Sequence, residues 1–328
     1  MADRAAIHFT EGRFSSGFSM SKRVLLTGAS GFIGGHCVAP LAAAGYEVHA
    51  ISWRKRSTER SEVQWHQADL LDEAQLDHVM TRVRPTHLLH FAWEATPGKY
   101  PNSVNNLRWC QSTLSLLRSF ADQGGTRAVF AGTCFEYDSR YGFCNEDLTP
   151  TRPATFYGIC KNSTREIVAG FSSQFGISSA WGRIFYLFGP HESEARLVPA
   201  TILALLRGEI VPCGTGRQVR DFLHVEDTAS AFVSLLQTEV EGTINIASGV
   251  PITIRKLVGH IAALLNAQDK LEFGAIAANP SDPPLLVADT RRLREEVGWQ
   301  PKIRLEDGLK DAINWWRETL ASRMNRQV

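Results

Sequence analysis

The first half of the chain alternates short apolar runs with longer stretches in which apolar residues recur every three or four positions. Short apolar runs are typical of strands buried on both faces, and the longer repeat is typical of amphipathic helices. Strands alternating with helices predict an α/β fold, a parallel sheet covered by helices on both faces. The predicted strands are residues 24–26, 46–52, 63–66, 85–92 and 127–132, and the predicted helices are residues 32–44, 71–82, 104–123 and 155–174.

The second half of the chain is less regular from about residue 186, where prolines and loops separate the apolar segments. We therefore predict a main domain over residues 21–185 and a smaller, substrate-facing region over residues 186–328. Residues 242–247 form a short run that we expect to return to the main sheet as a strand. The helices predicted in this half are residues 197–208, 226–237, 254–266 and 306–321.

Three glycines follow the first predicted strand at three-residue spacing and lead into the first predicted helix. Gly28 permits a sharp turn, Gly31 lets the backbone approach a pyrophosphate, and Gly34 lets helix and strand pack closely. Free N–H groups at the positive end of the helix would receive the pyrophosphate. An ordinary strand-to-helix turn is the alternative, which the strand–glycine–helix context disfavours. The motif predicts that residues 21–185 bind a dinucleotide through Gly28, Ser30, Gly31, Phe32, Ile33 and Gly34.

The end of the second predicted strand bears on which dinucleotide is bound. An Asp or Glu there would accept hydrogen bonds from the ribose hydroxyls of NAD. The sequence instead has Ser52 followed by Trp53, Arg54, Lys55 and Arg56. Because arginine makes charge-assisted contacts with phosphate, Arg54 favours NADP (NADPH), and NAD is the open alternative. A solvated basic loop without a cofactor role is the other interpretation.

Two further strand ends lie at the same predicted edge of the sheet. Asp69 follows the third strand, beside Leu70, and its carboxylate would accept a hydrogen bond from the adenine amino group. Capping of the next helix explains Asp69 equally well. Phe91 and Ala92 end the fourth strand at the carboxyl edge of the sheet, where ligands bind in folds of this type.

Thr133, Tyr157 and Lys161 are the candidate catalytic residues. Tyr157 and Lys161 are four positions apart on a predicted helix, so both side chains lie on one face. A Lys cation beside a Tyr stabilises the phenolate and lowers the pKa of the phenol, which suits it to acid–base work. Thr133 ends the fifth strand, facing the same crevice, where it would hydrogen-bond a substrate carbonyl or hydroxyl. An ordinary surface Tyr–Lys pair is the alternative.

This ordered set resembles the extended short-chain dehydrogenases/reductases, and within them the NAD(P)-dependent nucleotide-sugar epimerase/dehydratase branch. The resemblance runs from about Lys22 to Trp316. It implies a Rossmann-type doubly wound parallel sheet and a homodimer formed through a four-helix contact. The segments that carry it are residues 27–34, Thr133, Tyr157 with Lys161, and residues 183–190, 196–199 and 220–227.

The resemblance also implies roles for individual residues. Tyr157 would be the general acid/base, Lys161 would hold the cofactor ribose and tune Tyr157, and Thr133 would polarise the substrate. The implied substrate is a nucleotide-diphosphate sugar, with two arginines near its phosphates or nucleotide. Surface ion pairs are the alternative for these arginines. The residues implied in substrate binding are Tyr186, Arg196, Leu197 and Arg220.

Departures from the family pattern reduce the number of reactions that the chain is expected to catalyse. Sugar 4,6-dehydratases carry an Asp–Glu pair directly after the strand-end Thr, where this chain has Cys134 and Phe135, and Glu136 comes one position too late. Synthases that epimerise and then reduce use a Cys and a His at positions that are Phe135 and Arg196 here. Epimerases of the UDP-galactose type often have Asn where this chain has Tyr186, and they retain NAD, which the basic loop fits poorly.

The chemistry that remains is hydride transfer with one proton. We therefore hypothesise an NADPH-dependent reductase of a nucleotide-diphosphate 4-keto-6-deoxy sugar, in which Tyr157 protonates the alkoxide formed at C4. One alternative is a nucleotide-sugar 4-epimerase with tightly bound NAD, and another is a non-enzymatic NADP-binding regulator. The presence of both Tyr157 and Lys161 argues against the regulator.

Composition limits the remaining possibilities. A net charge of +1 over 328 residues implies no nucleic-acid or membrane partner. The six cysteines form no C-x-x-C pair, so we predict reduced thiols, no metal site and a cytoplasmic protein. Residues 1–20 lack the apolar core of a signal peptide, and we predict that they form a poorly ordered extension.

Overall fold

The computed structural model describes residues 22–56, 62–277 and 279–325. The predicted extension over residues 1–20 lies outside the described residues. The strands in the described part are β1 (Arg23–Thr27), β2 (Glu47–Ser52), β3 (Gln64–Gln67), β4 (His87–His90), β5 (Arg127–Thr133), β6 (Phe143–Cys144), β7 (Ser178–Ile184), β8 (Tyr186–Phe188), β9 (Val211–Cys213), β10 (Val219–His224), β11 (Gly242–Ile246), β12 (Pro251–Thr253), β13 (Leu271–Phe273) and β14 (Leu285–Ala288). The α-helices there are α1 (Phe32–Ala43), α2 (Glu73–Val83), α3 (Asn105–Asp122), α4 (Phe156–Phe175), α5 (Leu197–Leu206), α6 (Val225–Gln237), α7 (Ile254–Leu264), α8 (Arg291–Glu295) and α9 (Leu305–Met324).

A parallel sheet forms the centre of the fold, with the strand order β11-β7-β5-β4-β1-β2-β3 in the described part of the chain. Every neighbouring pair in this sheet is parallel. The predicted α/β fold with a Rossmann-type doubly wound sheet is therefore confirmed. At one edge, β11 pairs with β7, so a strand from the second half of the chain completes the main sheet.

Each face of the main sheet carries its own apolar core. Val24 and Leu26 of β1 pack with α1 and α6 on one face, whereas Leu25 packs with α2, α3 and α4 on the other. All three side chains are fully buried. Burial on both faces explains why β1 is a continuous apolar run rather than an alternating one.

The second half of the chain forms a further apolar core beside the main sheet. β10 lies between β12 and β14 and also pairs with β8, and β6 lies beside β14. The buried Trp316 of α9 packs in this core with Phe188 and with Ile261 of α7. Because only one residue separates β7 from β8, this layer is tied to the carboxyl edge of the main sheet.

The ends of the elements shift slightly from their predicted positions for local reasons. α2 begins at Glu73 rather than at residue 71 because the Asp72 carboxylate accepts hydrogen bonds from the N–H groups of Ala74 and Gln75. The longest described helices, α4 and α9, have 20 residues each. None of the helices in the described ranges is long and apolar enough to span a lipid bilayer.

The strand order reverses between β1 and β4. The chain leaves β1 toward β2 and β3 on one side and later crosses back to β4 on the other side. Such a reversal opens a crevice at the carboxyl ends of the strands, where ligands bind. The glycine turn after β1 and residues Phe91 and Ala92 after β4 line this crevice.

Replacing Gly34 with Ala tests the close packing of α1 on the end of β1. A Cβ at Gly34 would lie 2.3 Å from the Gly28 carbonyl oxygen, so the helix must move away from the turn. We expect Gly34→Ala to lower the free energy of unfolding by ~1–3 kcal/mol in urea denaturation.

Gly170→Ala is the matched control, because Gly170 lies on α4 with nothing within 4 Å of an added Cβ. This change should leave the free energy of unfolding unchanged or raise it by up to ~1 kcal/mol. Equal effects of the two substitutions would contradict a special role for the close contact at Gly34.

Candidate functional site

The turn between β1 and α1 has a backbone conformation that requires glycine. Gly28 has a φ of +72°, and a Cβ there would lie 2.9 Å from the backbone nitrogen of Ala92. Gly31 is the N-cap of α1 and offers no side-chain acceptor, so the first N–H groups of the helix remain for a ligand. This backbone fits the pyrophosphate of a dinucleotide, the group that the sequence predicts here.

A cavity of about 680 Å³ opens above the glycine turn and extends to the second layer of the fold. Most of the sequence-predicted site residues line it, whereas Arg54, Lys161 and Arg220 are not among its lining residues. Both halves of the chain contribute to its wall. The predicted residues in the wall are Gly28, Ser30, Gly31, Phe32, Ile33, Gly34, Asp69, Leu70, Phe91, Ala92, Thr133, Tyr157, Tyr186, Arg196 and Leu197.

The ends of β2 and β3 form the part of the cavity where the sequence predicts the adenosine half of the cofactor. Ser52 and Trp53 line it, and the exposed Arg54 guanidinium lies 4.3 Å from the centre of the Trp53 ring. Asp69 also lines it, and its Oδ1 accepts a hydrogen bond from the N–H two residues on at 2.9 Å. Because Asp72 caps α2, the capping interpretation of Asp69 is wrong, and its contact with adenine stays a prediction.

Thr133 is the last residue of β5 and reaches the wall of the cavity. It is buried, and its hydroxyl accepts a hydrogen bond from the Phe135 N–H at 3.3 Å. The same hydroxyl is close enough to Tyr157 to form a hydrogen bond that lowers the Tyr157 pKa. The end of β5 and the start of α4 therefore bring the two predicted hydroxyl groups together.

Lys161 is buried beside the cavity rather than in its wall. Its Nζ donates a hydrogen bond to the Ala131 carbonyl oxygen at 2.8 Å and lies 4.0 Å from the centre of the Trp93 ring. Burial lowers the pKa of Lys161 to about 8, while the Glu136 carboxylate acts in the opposite sense. The ammonium is therefore desolvated and held by one carbonyl oxygen and by the faces of two rings, Trp93 and, at 5.7 Å, Trp181.

The pKa of Tyr157 is raised in this structure, whereas the sequence analysis expects Lys161 to lower it. Burial raises the pKa of Tyr157 above its ordinary value, and Tyr100 and Glu136 raise it further, whereas the hydrogen bond with Thr133 lowers it. The Lys161 ammonium is directed at the Ala131 carbonyl oxygen. A phenol with a raised pKa is neutral at pH 7, which is the state that donates a proton.

Two aromatic residues that the sequence analysis missed surround Tyr157. Tyr100 packs edge-on against the Tyr157 ring with the centroids 4.8 Å apart, and the Trp93 ring lies at 6.2 Å. Trp93 donates a hydrogen bond from Nε1 to Asn106 Oδ1 at 2.8 Å, which fixes the ring. Both residues lie in the segment directly after β4, and this position at the ligand-binding edge of the sheet is the signal that could have identified them.

Glu136 holds Thr133 in place from within the protein. It is fully buried and accepts hydrogen bonds from the Thr133 N–H at 2.8 Å and from Trp181 Nε1 at 2.9 Å. It also forms an ion pair with Arg183, whose Nε lies 2.7 Å away. A buried ion pair needs such additional hydrogen bonds to offset the loss of hydration. Glu136 therefore has a positioning role that sequence analysis could not assign.

The two residues that follow Thr133 supply no proton carrier. Cys134 is 2% exposed, and burial raises the pKa of its thiol far above the ordinary value. Phe135 lines the cavity with an apolar ring. These two positions are where a sugar 4,6-dehydratase would carry its acidic pair, so the site lacks that pair at the expected place.

The two arginines implied in substrate binding have different surroundings. Arg220 is 2% exposed, donates a hydrogen bond to Asp282 at 2.5 Å and lies 5.3 Å from the centre of the Tyr186 ring. Arg196 lines the cavity, with its guanidinium 5.6 Å from the centre of the Tyr100 ring. Arg196 therefore faces the cavity directly, whereas Arg220 is backed against Tyr186 and neutralised by Asp282.

A comparison with protein-family models matches residues 24–247 to the NAD dependent epimerase/dehydratase family. The members are enzymes of the extended short-chain dehydrogenase/reductase type that act on nucleotide sugars, the class that the glycine turn and the Thr133–Tyr157–Lys161 set indicate. The match covers more than half of the chain, and the chain belongs to this family.

Individual relatives carry out different reactions on this fold. UDP-glucuronic acid decarboxylase 1 of Danio rerio is 28% identical over 320 residues, which cover 93% of this chain and 75% of that protein. The UDP-glucose 4-epimerase of Thermotoga maritima, solved with UDP-glucose, is 25% identical with a TM-score of 0.80, covering 91% of this chain and 99% of that chain. MoeE5, solved with UDP-glucose and NAD, is 27% identical with a TM-score of 0.79 and the same coverage.

Glu136→Ala tests how strongly the buried ion pair supports the site. The substitution leaves Arg183 charged and buried without its partner, which we expect to lower the free energy of unfolding by ~3–5 kcal/mol in urea denaturation. Glu306→Ala is the control, because Glu306 forms an exposed pair with Lys310 one turn along α9. That change should cost no more than ~0.5 kcal/mol. Similar losses for both variants would contradict the role assigned to Glu136.

Proposed function

We propose that the protein is an NADPH-dependent reductase of a nucleotide-diphosphate 4-keto-6-deoxy sugar. The observation that carries this proposal is the position of Thr133 and Tyr157 side by side in the wall of the cavity above the glycine turn. The residues next to Thr133 offer no second acid–base group. Reduction of a carbonyl needs one hydride and one proton, and the Tyr157 phenol beside Thr133 is placed to give the proton.

The residues divide the work as follows. NADPH, held above the glycine turn, would supply the hydride for the C4 carbonyl carbon of the sugar. Tyr157 gives its proton to the oxygen at C4 as that oxygen becomes an alkoxide. Thr133 donates a hydrogen bond to the same oxygen and stabilises its developing charge. Lys161, desolvated and buried beside the Trp93 ring, holds positive charge near this centre.

A nucleotide-sugar 4-epimerase with tightly bound NAD is the second candidate. The Thermotoga maritima relative is a UDP-glucose 4-epimerase, and MoeE5 was solved with NAD. The same Thr133 and Tyr157 hydroxyls would serve an epimerase, because it removes a hydride from C4 and a proton from the 4-hydroxyl group, and then returns both. A non-enzymatic regulator would not need these two hydroxyls together at the cavity, and family membership also disfavours it.

Tyr157→Phe tests the proposed proton donor. The substitution keeps the ring and removes the hydroxyl, so NADPH oxidation with TDP-, CDP- or GDP-4-keto-6-deoxyhexoses should fall by roughly 10²–10⁴-fold in kcat. Cofactor binding, measured by the fluorescence of NADPH, should remain. A variant as active as the unaltered protein would overturn the role of Tyr157.

The purified protein distinguishes the two candidates. A reductase consumes external NADPH in proportion to product. An epimerase carries NAD through purification and interconverts UDP-glucose and UDP-galactose without net change in cofactor. If the protein oxidises NADPH with none of the keto sugars and carries bound NAD, the epimerase would replace the reductase as the proposed function.

The basic segment after β2 supports NADP over NAD in our proposal. β2 ends at Ser52 rather than at a carboxylate, and the Arg54 guanidinium stacks on Trp53 at the wall of the cavity. A guanidinium at this place would pair with the 2′-phosphate of NADPH.

Arg54→Ala should therefore weaken NADPH binding by roughly 10-fold or more and leave NADH binding unchanged, as measured by fluorescence titration. Arg207→Ala is the control for loss of one positive charge, since Arg207 is an exposed residue after α5, away from the cavity. Equal losses for NADPH and NADH, or for both variants, would contradict a 2′-phosphate contact.

The surfaces of α3 and α4 support a homodimer as part of the proposal. The two helices pack against each other. Leu107 of α3 is 50% exposed. Ile159 and Ile167 of α4 are 47% and 51% exposed. Apolar residues exposed on two adjacent helices are typical of a surface that a second subunit covers.

A further inference from the structure

Glu192 lies on the turn between β8 and α5, a segment to which the proposed reaction assigns no role. The turn has an unusual backbone: Gly189 has a φ of +145°, and His191 has a φ of +68° in the left-handed region. Non-glycine residues adopt this region rarely and at some cost in energy. The Glu192 N–H donates to the Gly189 carbonyl oxygen at 3.4 Å, which closes the turn and places Glu192 in the wall of the cavity.

The Glu192 carboxyl group is buried without full hydrogen bonding. The residue is 8% exposed, and its Oε2 has no partner in the described part of the chain. An unpaired buried polar atom is costly, so its presence in a ligand cavity points to a partner that arrives with the ligand. Burial raises the pKa of Glu192 to about 8, so the carboxyl is mainly neutral at pH 7 and carries an O–H donor.

The charged groups around the turn leave Arg196 as the neighbour that acts on Glu192. Arg196 lowers the pKa of Glu192 but does not outweigh burial. Four other charged or titratable groups on the turn and on the elements packed against it have contacts of their own, and one of them is His224 of β10, which faces Gly189 and lies 3.3 Å from Asp311 of α9. His36 of α1 contacts the Pro190 carbonyl oxygen, His191 packs on His36 and Trp315, and Glu194 pairs with Arg323 of α9.

Contacts across the cavity place this pair at the reacting end of the site. The Arg196 guanidinium lies 5.6 Å from the centre of the Tyr100 ring, and the Tyr100 ring packs on Tyr157 at 4.8 Å. Glu192 and Arg196 therefore lie at the end of the cavity that contains the Tyr157 phenol. The sugar, not the nucleotide, is the part of the proposed substrate that reaches this end.

We infer that Glu192, in its neutral form and beside Arg196, donates a hydrogen bond to an oxygen of the sugar of the bound nucleotide-diphosphate sugar. The inference rests on the proposed function. It makes sugar binding depend on a proton. Neutral Glu192 leaves the Arg196 charge uncancelled and offers a donor, whereas ionised Glu192 cancels that charge and offers only acceptors. Since the neutral form is the binding form, sugar affinity is present below pH 8 and is lost as the pH rises through it.

Comparing each nucleotide sugar with its nucleoside diphosphate gives the contribution of the sugar to the binding affinity. Calorimetric titration compares UDP-glucose with UDP, and dTDP-glucose with dTDP, at pH 6.5 and at pH 9. We expect the affinity gained from the sugar to fall roughly 10-fold at pH 9, one unit above the pKa of Glu192, while the nucleoside diphosphates alone bind with little change. A sugar contribution independent of pH would overturn the inference.

Substitutions assign the pH dependence to Glu192. Because the pKa of Lys161 is also about 8, the pH dependence of the unaltered protein alone does not assign the titrating group. The difference in pH dependence between the variants and the unaltered protein assigns it. Glu192→Gln keeps a donor that cannot ionise, and its sugar contribution should no longer depend on pH. Glu192→Ala should lose the contribution at both pH values. Glu194→Gln, the same change on the exposed partner of Arg323, should behave as the unaltered protein. Glu192→Gln with unchanged pH dependence would overturn the inference.

The remaining outcomes separate this inference from the proposed function. If neither nucleotide sugar binds better than its nucleoside diphosphate, the proposed substrate class fails and the inference fails with it. If sugars bind but the Glu192 variants behave as the unaltered protein, the inference alone fails.

Should the variants not fold, infrared difference spectra of the unaltered protein test the inference. A protonated carboxyl band at pH 7 that shifts with UDP-glucose and not with UDP supports the inference, and the absence of that shift overturns it.

Discussion

The structure depends on the close approach of α1 to the end of β1. Gly28 lies so near Ala92, and Gly34 so near the Gly28 carbonyl, that a Cβ at either glycine would overlap backbone atoms. This approach brings the N-terminus of α1 to the crevice between β1 and β4, where the strand order reverses. Thr27 ties the same strand end to β4 through hydrogen bonds to His90 and to the Ala92 N–H. The cavity and the residues in its wall are organised around that contact.

Burial then sets the protonation states of the groups beside the cavity. It raises the pKa of Tyr157, lowers that of Lys161 to about 8 and raises that of Glu192 to about 8. In each case the low polarity of the surroundings disfavours the charged form. The phenol and the carboxyl group are consequently proton donors at neutral pH. Nearby opposite charges reduce two of these pKa shifts but do not reverse them. Glu136 favours the charged form of Lys161, and Arg196 favours the charged form of Glu192.

The fold and the main wall of the cavity could be predicted because local sequence determines them. The glycine spacing specifies the turn, and the Tyr157–Lys161 spacing specifies a shared helix face. Contacts between segments distant in sequence could not be predicted in the same way. The direction of the Lys161 ammonium toward Ala131 and Trp93 depends on how α4 packs on β5 and on the segment after β4. Burial likewise arises only in the folded chain, and for this reason the rise in the Tyr157 pKa could not be predicted from the sequence.

The carboxyl groups near the site are arranged in a way that favours simple hydride chemistry. Glu136 is fully buried, and its oxygens accept hydrogen bonds from Thr133, Trp181 and Arg183, so it is committed to structure rather than to proton exchange with the cavity. Glu192 lies in the cavity wall on the turn before α5, and its neighbour Arg196 approaches Tyr157 through the Tyr100 ring. Beside Thr133 a single group able to donate a proton remains, the Tyr157 phenol. Reduction of a carbonyl by hydride requires one proton at the new alkoxide, whereas loss of water from a sugar requires an acid and a base on the two departing groups. The number of proton carriers next to Thr133 therefore matches reduction, or its reversible use in epimerisation, better than dehydration.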